Sequence, residues 1–392
     1  MLEKLRTQNM LTGGRVRFYF SPLVLLMMAL LLASFYWNFL GPYWAGRAPT
    51  TSDFYNELWA PTHLLTQGQS PYKTASLYPH LPAVWFPMAV GFFFPLGLLS
   101  DELAAKIWLM INVLELFGLI MLSIRSLDSN GAVLVLGGLV YFFPVVFSHL
   151  LLGQFSLTTA LCLLASAALA EKRHDWLAAF CLALGLSKPQ LGIMAVLGLG
   201  VFYYRAGGFK LLVRFGVQTG FMVLLTSLPL FIAYPGWIPD WISSEQSNRY
   251  MWTFPSLFSA LQRFMGAPGY LIWGIILIAG CVLCYQLWTH DPPRLAMPWT
   301  LGITVMVSTY VWSWDFVLLI PVWAYIFSHS SWRGQAFLVL TYLLGWVGFA
   351  YVQSLPNSNN SMFWWFPLWL LACVSIVSPP IRLWRTSNSP PG

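Results

Sequence analysis

The sequence predicts an all-α polytopic membrane protein, and composition and segment length both carry that reading. Hydrophobic residues make up 58% and charged residues only 8% of its 392 residues, against roughly 25% charged in a water-soluble domain. Apolar runs approaching the length of a bilayer crossing recur from residue 18 to residue 377, and in hydrocarbon a backbone segment satisfies its own hydrogen bonds by being helical. The 20 Lys+Arg against 13 Asp+Glu give a net charge of +7. These basic residues fall in short clusters between apolar runs, which points to orientation in the bilayer and away from nucleic acid. Cys162, Cys181, Cys281, Cys284 and Cys373 all lie inside apolar stretches, so they read as packing residues. Cys281 and Cys284 have CxxC spacing, but no second Cys/His pair accompanies them, which argues against zinc.

Taken in order, the apolar runs are 18–40, 106–124, 132–150, 156–170, 176–187, 190–204, 211–233, 268–288, 296–311, 316–328, 336–352 and 363–377, about twelve spans. Several are shorter than a bilayer requires, 176–187 most of all, which predicts helices that stop inside a cavity. The first run follows Lys4, Arg6, Arg15 and Arg17; it is too long for a signal peptide and reads as an uncleaved first span. Residues 83–99 decide the sidedness of everything after them. If they do not cross, fourteen Lys and Arg lie inside and six outside, the six being Arg47, Lys73, Lys106, Lys188, Arg249 and Arg263. If they cross, the bias reverses to eight inside and twelve outside, against the positive-inside rule. Residues 83–99 are therefore expected to be a juxtamembrane or re-entrant segment on the outer face, interrupted by Pro87 and Pro95. Both termini are then cytoplasmic, 41–105 forms the first extracytoplasmic loop, and 1–392 is a single integral domain.

With this threading the unusual polar residues collect outside the membrane. Asp53, Glu57, Tyr72 and His80 fall in the first outer loop, Gln154 and the Lys188-Pro189-Gln190 run in two short ones, and Arg249, Trp312 and Asp315 in later ones. Ionisable groups near membrane depth are costly and so point to function. Asp53 reads either as a helix-capping residue or as a general base, with Glu57 one helical turn on able to tune it or take a sugar hydroxyl. Lys188 has no carboxylate near it in sequence; it grips an anion such as phosphate, or snorkels. Arg249 reads as a second phosphate clamp or as an exposed loop residue. Trp312 and Asp315 read as a sugar-stacking and hydroxyl-binding pair, with interfacial anchoring the alternative for the tryptophan. Gln154 binds a ligand or satisfies a helix end, and His149 and His290 read as ordinary helix-end residues. P-loop, nucleophile-elbow and dinucleotide fingerprints are absent from the sequence.

The order Asp53-Phe54-Tyr55, Gly68-Gln69-Ser70-Pro71-Tyr72, Tyr78-Pro79-His80-Leu81-Pro82, Gly153-Gln154, Lys188-Pro189-Gln190 and Trp312-Ser313-Trp314-Asp315, ending at Pro321, resembles glycosyltransferase family 87 over roughly residues 50–321. The resemblance implies a GT-C-like bundle at the plasma membrane whose outer face transfers a sugar, mannose above others, from a polyprenyl-phosphate donor to a glycan or glycolipid acceptor. It further implies Asp53 as catalytic base, Lys188 and Arg249 on the donor phosphate, and Glu57, Tyr72, His80, Gln154, Gln190, Trp312 and Asp315 on substrate. No cofactor is required, though a divalent metal is compatible. His80-Leu81 replaces the more usual proline-leucine turn of the family. A transporter or flippase of lipid-linked sugars is the competing class; it calls for polar groups at mid-membrane and paired interrupted spans.

Overall fold

The computed structural model describes residues 20–42, 51–77, 82–124, 130–248 and 254–380. Among these every regular element is helical. α1 (Phe20–Phe35) continues into a π turn, Tyr36–Leu40. α2 is composite, running without a break through Ser52–Phe54, a π turn at Tyr55–Trp59, and Ala60–Thr66. α3 (Pro87–Phe92) is followed by a 3-10 turn, Phe94–Leu98. Then come α4 (Asp101–Ser123), α5 (Asn130–Tyr141), α6 (Pro144–Leu152), α7 (Ser156–Glu171), α8 (Asp175–Gly185) and α9 (Pro189–Ala233). The rest comprises α10 (Trp237–Asn248), α11 (Leu257–Met265), α12 (Ala267–His290), α13 (Pro293–Val307), a 3-10 segment Ser313–Leu319, α14 (Ile320–His329), α15 (Trp332–Ser354), a 3-10 turn Asn360–Phe363 and α16 (Trp365–Val377).

The twelve apolar runs coincide in the main with helices, but fewer qualify as spans. Among the described residues five helices are long and apolar enough to cross a bilayer, and six if α5 and α6, bent 51° apart, count as one. The apolar helices of 10–17 residues reach only about 15–25 Å at 1.5 Å per residue, short of a hydrocarbon core of about 30 Å. The bend between α5 and α6 falls at Phe142-Phe143 before Pro144, where proline denies the helix a donor and forces the preceding residue out of helical geometry. α9, at 45 residues, is two helices joined at Gly207–Gly208, where Gly208 takes φ 67°. The rings of Tyr203 and Phe215 stack 3.9 Å apart, whereas twelve residues of straight helix would separate them by about 18 Å. The chain therefore reverses there, at the boundary expected between the runs 190–204 and 211–233.

Residues 83–99 do not form a span. They hold only α3 and the following 3-10 turn, of 6 and 5 residues. Both pack too closely for a side chain: a Cβ on Gly91 would lie 2.1 Å from the Thr226 carbonyl oxygen, and one on Gly97 2.4 Å from the Thr62 carbonyl carbon. The segment is thus wedged between α2 and the second half of α9. The main apolar core joins α1, α4 to α9 and α12 to α16, while a smaller cluster of Phe54, Leu58, Trp85, Trp108 and Phe155 underlies α2.

Candidate functional site

One large cavity, about 1910 Å³, brings together the chemistry that the sequence scatters over some 300 residues; Asp53, Glu57, Gln154, Lys188, Gln190 and Trp312 all line it. Its polar end is built from chain breaks. Thr51, at φ 56°, is a β-branched residue in left-handed geometry, and its N–H is held by the Leu151 carbonyl at 2.5 Å. This strained turn at the N-cap delivers Asp53 in the first turn of α2. The π turn follows directly, a feature frequent at functional sites.

Opposite, α6 ends at Gly153 with φ 69°, and a Cβ there would lie 2.6 Å from Phe54 Cβ. Only glycine permits both the left-handed cap and this approach. Trp108 Nε1 donates to the Gly153 carbonyl at 2.8 Å. The next residue, Gln154, is thereby brought against Asp53, and its amide donates to Asp53 Oδ2. Ser52 Oγ donates to Asp53 Oδ1 at 3.3 Å.

Lys188 emerges where α8 stops and Pro189 opens α9. It is 7% exposed, so it does not snorkel. Its ammonium donates to Gln154 Oε1 at 2.8 Å, Ser156 Oγ at 2.9 Å and Asp315 Oδ1 at 2.9 Å, and stands 5.9 Å from the Trp85 ring. Asp315 is fully buried. It also accepts from Ser156 Oγ through Oδ1 and from the Trp312 N–H at 2.8 Å through Oδ2. Asp53, Gln154, Lys188, Ser156 and Asp315 thus form one continuous hydrogen-bonded chain.

Glu57 organises the adjoining wall. Residues 82–86 form no regular element, and irregular backbone in such surroundings needs partners for its polar groups. Glu57 Oε2 accepts from Val84 N–H at 2.6 Å and Trp85 N–H at 3.1 Å. Tyr72 Oη donates to the Trp85 carbonyl at 3.1 Å, Trp241 to the Val84 carbonyl at 3.4 Å and Ser244 to the Ala83 carbonyl at 2.5 Å. Burial pushes the Glu57 carboxyl up to about 8 despite those backbone donors. Burial likewise raises Asp53 to about 6, with the Lys188 charge and the Ser52 and Gln154 hydrogen bonds pulling the other way.

Not every expected residue arrives at the cavity. Among the described residues, Tyr72 is buried behind the wall and Asp315 behind Lys188; neither lines the cavity. Gln190 lines it half-buried, and Trp312 stacks on Trp314 with ring centres 4.8 Å apart. His80 and Arg249 lie outside the described residues. His149 is not an ordinary helix-end residue: it is wholly buried, its Nε2 2.9 Å from Asn112 Oδ1 and its Nδ1 3.3 Å from the Trp314 carbonyl.

Sequence reasoning passed over Ser156, whose only signal was its place one residue after Gln154-Phe155. It also passed over Glu115, buried in α4, which accepts from Thr158 Oγ1 at 2.6 Å and whose other oxygen lacks a partner among the described residues. No group of three or more His, Cys, Asp or Glu side chains is arranged to hold a metal among the described residues.

Beyond the polar end, the cavity runs between α11, the end of α15 and the start of α16, lined by Phe258, Phe264, Tyr351, Val352, Trp364 and Trp365. Phe264 and Tyr351 are 67% and 64% exposed, so this end opens on the flank of the bundle. A carboxylate with a raised proton affinity, a lysine-centred network and an aromatic slot open to the side can deprotonate a hydroxyl beside a bound amphiphile. A family model described as glycosyltransferase family 87 matches residues 85–311, more than half of the chain. No curated protein matches it.

Proposed function

The chain belongs to glycosyltransferase family 87, and from that membership we propose that it transfers mannose from a polyprenyl-phosphate donor to a glycan or glycolipid acceptor outside the plasma membrane. The observation that carries this reading is the Asp53 carboxylate, held by Gln154 and Ser52 on the wall of a cavity whose other end is apolar and open sideways. A lipid-linked donor needs such a cavity, since its polyprenyl chain stays in the bilayer while its sugar enters the polar end.

In this mechanism Asp53 takes the proton of the acceptor hydroxyl as that oxygen attacks the anomeric carbon. The bond from that carbon to the phosphate oxygen breaks with inversion, and lipid phosphate leaves with the bonding pair. Phosphate departs without a protonating acid, so the site calls for one strong base and not the close carboxyl pair of a glycoside hydrolase. Lys188 holds the Gln154 carbonyl, which turns the amide of that residue toward Asp53, and adds positive charge beside the base. Gln190, Trp312 and its partner Trp314 are suited to sugar hydroxyls and a sugar face. A divalent metal is compatible with this scheme and no step depends on one.

The test is transfer of radiolabelled mannose from polyprenyl-phosphate-mannose in membranes carrying the protein, with a lipid-glycan extract as acceptor. Asp53→Asn at equal expression should lower transfer by about 10²–10⁴-fold, the range of a lost general base. Equal transfer by parent and variant would remove Asp53 from the chemistry. Export of lipid-linked sugar that survives Asp53→Asn would favour the transporter class instead.

A further inference from the structure

The charges lining the cavity do not suit an anion at its polar end. An ammonium has three N–H donors, and those of Lys188 are occupied by Gln154, Ser156 and Asp315. Its charge is matched at 2.9 Å by the fully buried Asp315. Asp53 adds a further carboxylate to the same wall, bonded to the Gln154 amide beside Lys188. A phosphodiester arriving there meets a surplus of acidic groups. It can bond Lys188 only by displacing a partner from a network whose members would then be buried and unsatisfied.

A second cation lines the same cavity. Arg263 stands in the last turn of α11. It is exposed, and no ion pair joins it to any acidic side chain among the described residues. Its neighbour Phe264 also lines the cavity and packs on Trp364 with ring centres 5.8 Å apart; Phe258, earlier on the same helix, lines it too. Arg263 therefore stands beside the aromatic slot on the lining of the cavity that also holds Asp53 and Lys188, and a lipid-linked molecule whose chain occupies the slot brings its phosphate into that same cavity. A guanidinium offers two parallel N–H groups to phosphate oxygens and holds its charge at any working pH.

We propose that Arg263 grips the phosphate of the lipid-linked donor, and that Lys188 acts on the reaction only through Gln154, Ser156 and Asp315. This rests on the donor class proposed above and revises which residue touches the donor. Arg263 is a binding residue in this scheme, so its loss should act on donor affinity more than on turnover.

The experiment uses the full chain in phosphatidylcholine nanodiscs, with Trp312 and Trp364 in the cavity wall as fluorescent reporters. A polyprenyl phosphate, the matching polyprenol and inorganic phosphate are titrated into the parent, Arg263→Gln and Arg263→Lys. The parent should bind polyprenyl phosphate at least tenfold more tightly than polyprenol, with inorganic phosphate competing only weakly. Arg263→Gln should lose most of that preference and leave polyprenol binding unchanged, while Arg263→Lys keeps part of it. In transfer assays Arg263→Gln should raise the donor KM about tenfold with kcat little altered.

A preference for phosphate undiminished in Arg263→Gln would overturn the assignment and leave the donor class standing. A parent with no preference for phosphate over alcohol would overturn both. Inorganic phosphate competing as well as the lipid would show a site for the free anion and overturn the lipid-donor role. Arg263 is exposed on a helix surface, where substitution has little effect on stability, so a change in binding reports the site.

Discussion

At one end of the cavity Asp53, Gln154, Lys188, Ser156 and Asp315 are joined in a single hydrogen-bonded chain drawn from four separate parts of the sequence. At the other, Phe258, Phe264, Tyr351 and Trp365 line the wall with rings. The first end is directional: in a low-dielectric setting each polar group needs its particular partner, and removal of one leaves others stranded. The second is held by non-directional contact, which tolerates change and accommodates a flexible hydrocarbon. Stiffness is needed where a proton moves and compliance where a chain slides, so the two ends should respond to substitution by different amounts and in different kinetic constants.

The sharpest break in that comparison is Asp315→Ala. It strips Lys188 of its counter-charge while leaving the ammonium 7% exposed. Breaking a buried pair in this way costs about 3–5 kcal/mol. Thermal unfolding in detergent should fall by several degrees and transfer should vanish, although Asp315 does not line the cavity. Lys188→Met added to Asp315→Ala removes the orphaned charge and should restore stability without restoring transfer. An Asp315→Ala protein as stable and active as the parent would mean that the network is not what holds this end.

The pH dependence sharpens the comparison further. Asp53 must be ionised to accept a proton, and its carboxyl is raised to about 6, by burial against the opposing pull of Lys188, Ser52 and Gln154 and with a small rise from Asp315. Below that pH the base is protonated, so kcat/KM should fall as the pH drops through about 6 and level off above it. Gln154→Ala removes a hydrogen bond that favours the charged form, so the acidic limb should move to higher pH. Glu57 faces the same cavity with its own carboxyl raised to about 8. Glu57→Gln keeps an oxygen for the Val84 and Trp85 N–H groups and should abolish any transition near pH 8 while leaving the limb near 6. Glu57 also links pH to stability. A carboxyl whose folded proton affinity exceeds its unfolded one stabilises the fold below the unfolded value and loses that contribution as pH rises through about 8. A limb that does not move in Gln154→Ala would separate the titrating group from this network.

Much of this was readable in the sequence because it is local. Apolar run length anticipated the helices, and charge asymmetry with Pro87 and Pro95 anticipated a segment that does not cross at 83–99. Spacing put Asp53 and Glu57 on one face of a helix, and both do line the cavity. What the sequence withheld is long-range. Lys188 and Asp315 are 127 residues apart, and nothing local indicates that each is the other's partner. Tyr72 looked like a ligand-binding aromatic, yet its hydroxyl is bonded to the Trp85 carbonyl, because an irregular segment must be satisfied by side chains and their identity is a matter of packing. Span number is not settled by the same signal: a short apolar run signals burial equally well in hydrocarbon or against neighbouring helices, and five or six helices among the described residues reach a crossing length. Glu115 escaped because a single carboxyl inside an apolar run carries no pattern.

The smallest expected effect lies at the compliant end. Phe264 and Tyr351 are about two-thirds exposed, so Phe264→Ala and Tyr351→Ala should change stability by less than about 0.5 kcal/mol. Each ring nonetheless lines the slot. Loss of a partial apolar contact with a bound hydrocarbon, on the order of 1 kcal/mol, corresponds to roughly a fivefold change in affinity. The donor KM should therefore rise a few-fold for a long polyprenyl chain and stay near the parent value for a chain too short to reach the slot, with kcat unchanged in both cases. Chain length is the informative variable, because a loss that appears equally with short and long donors belongs to the sugar or phosphate and not to the lipid. That result would leave the aromatic wall as surface exposed to the bilayer and confine the donor to the polar end.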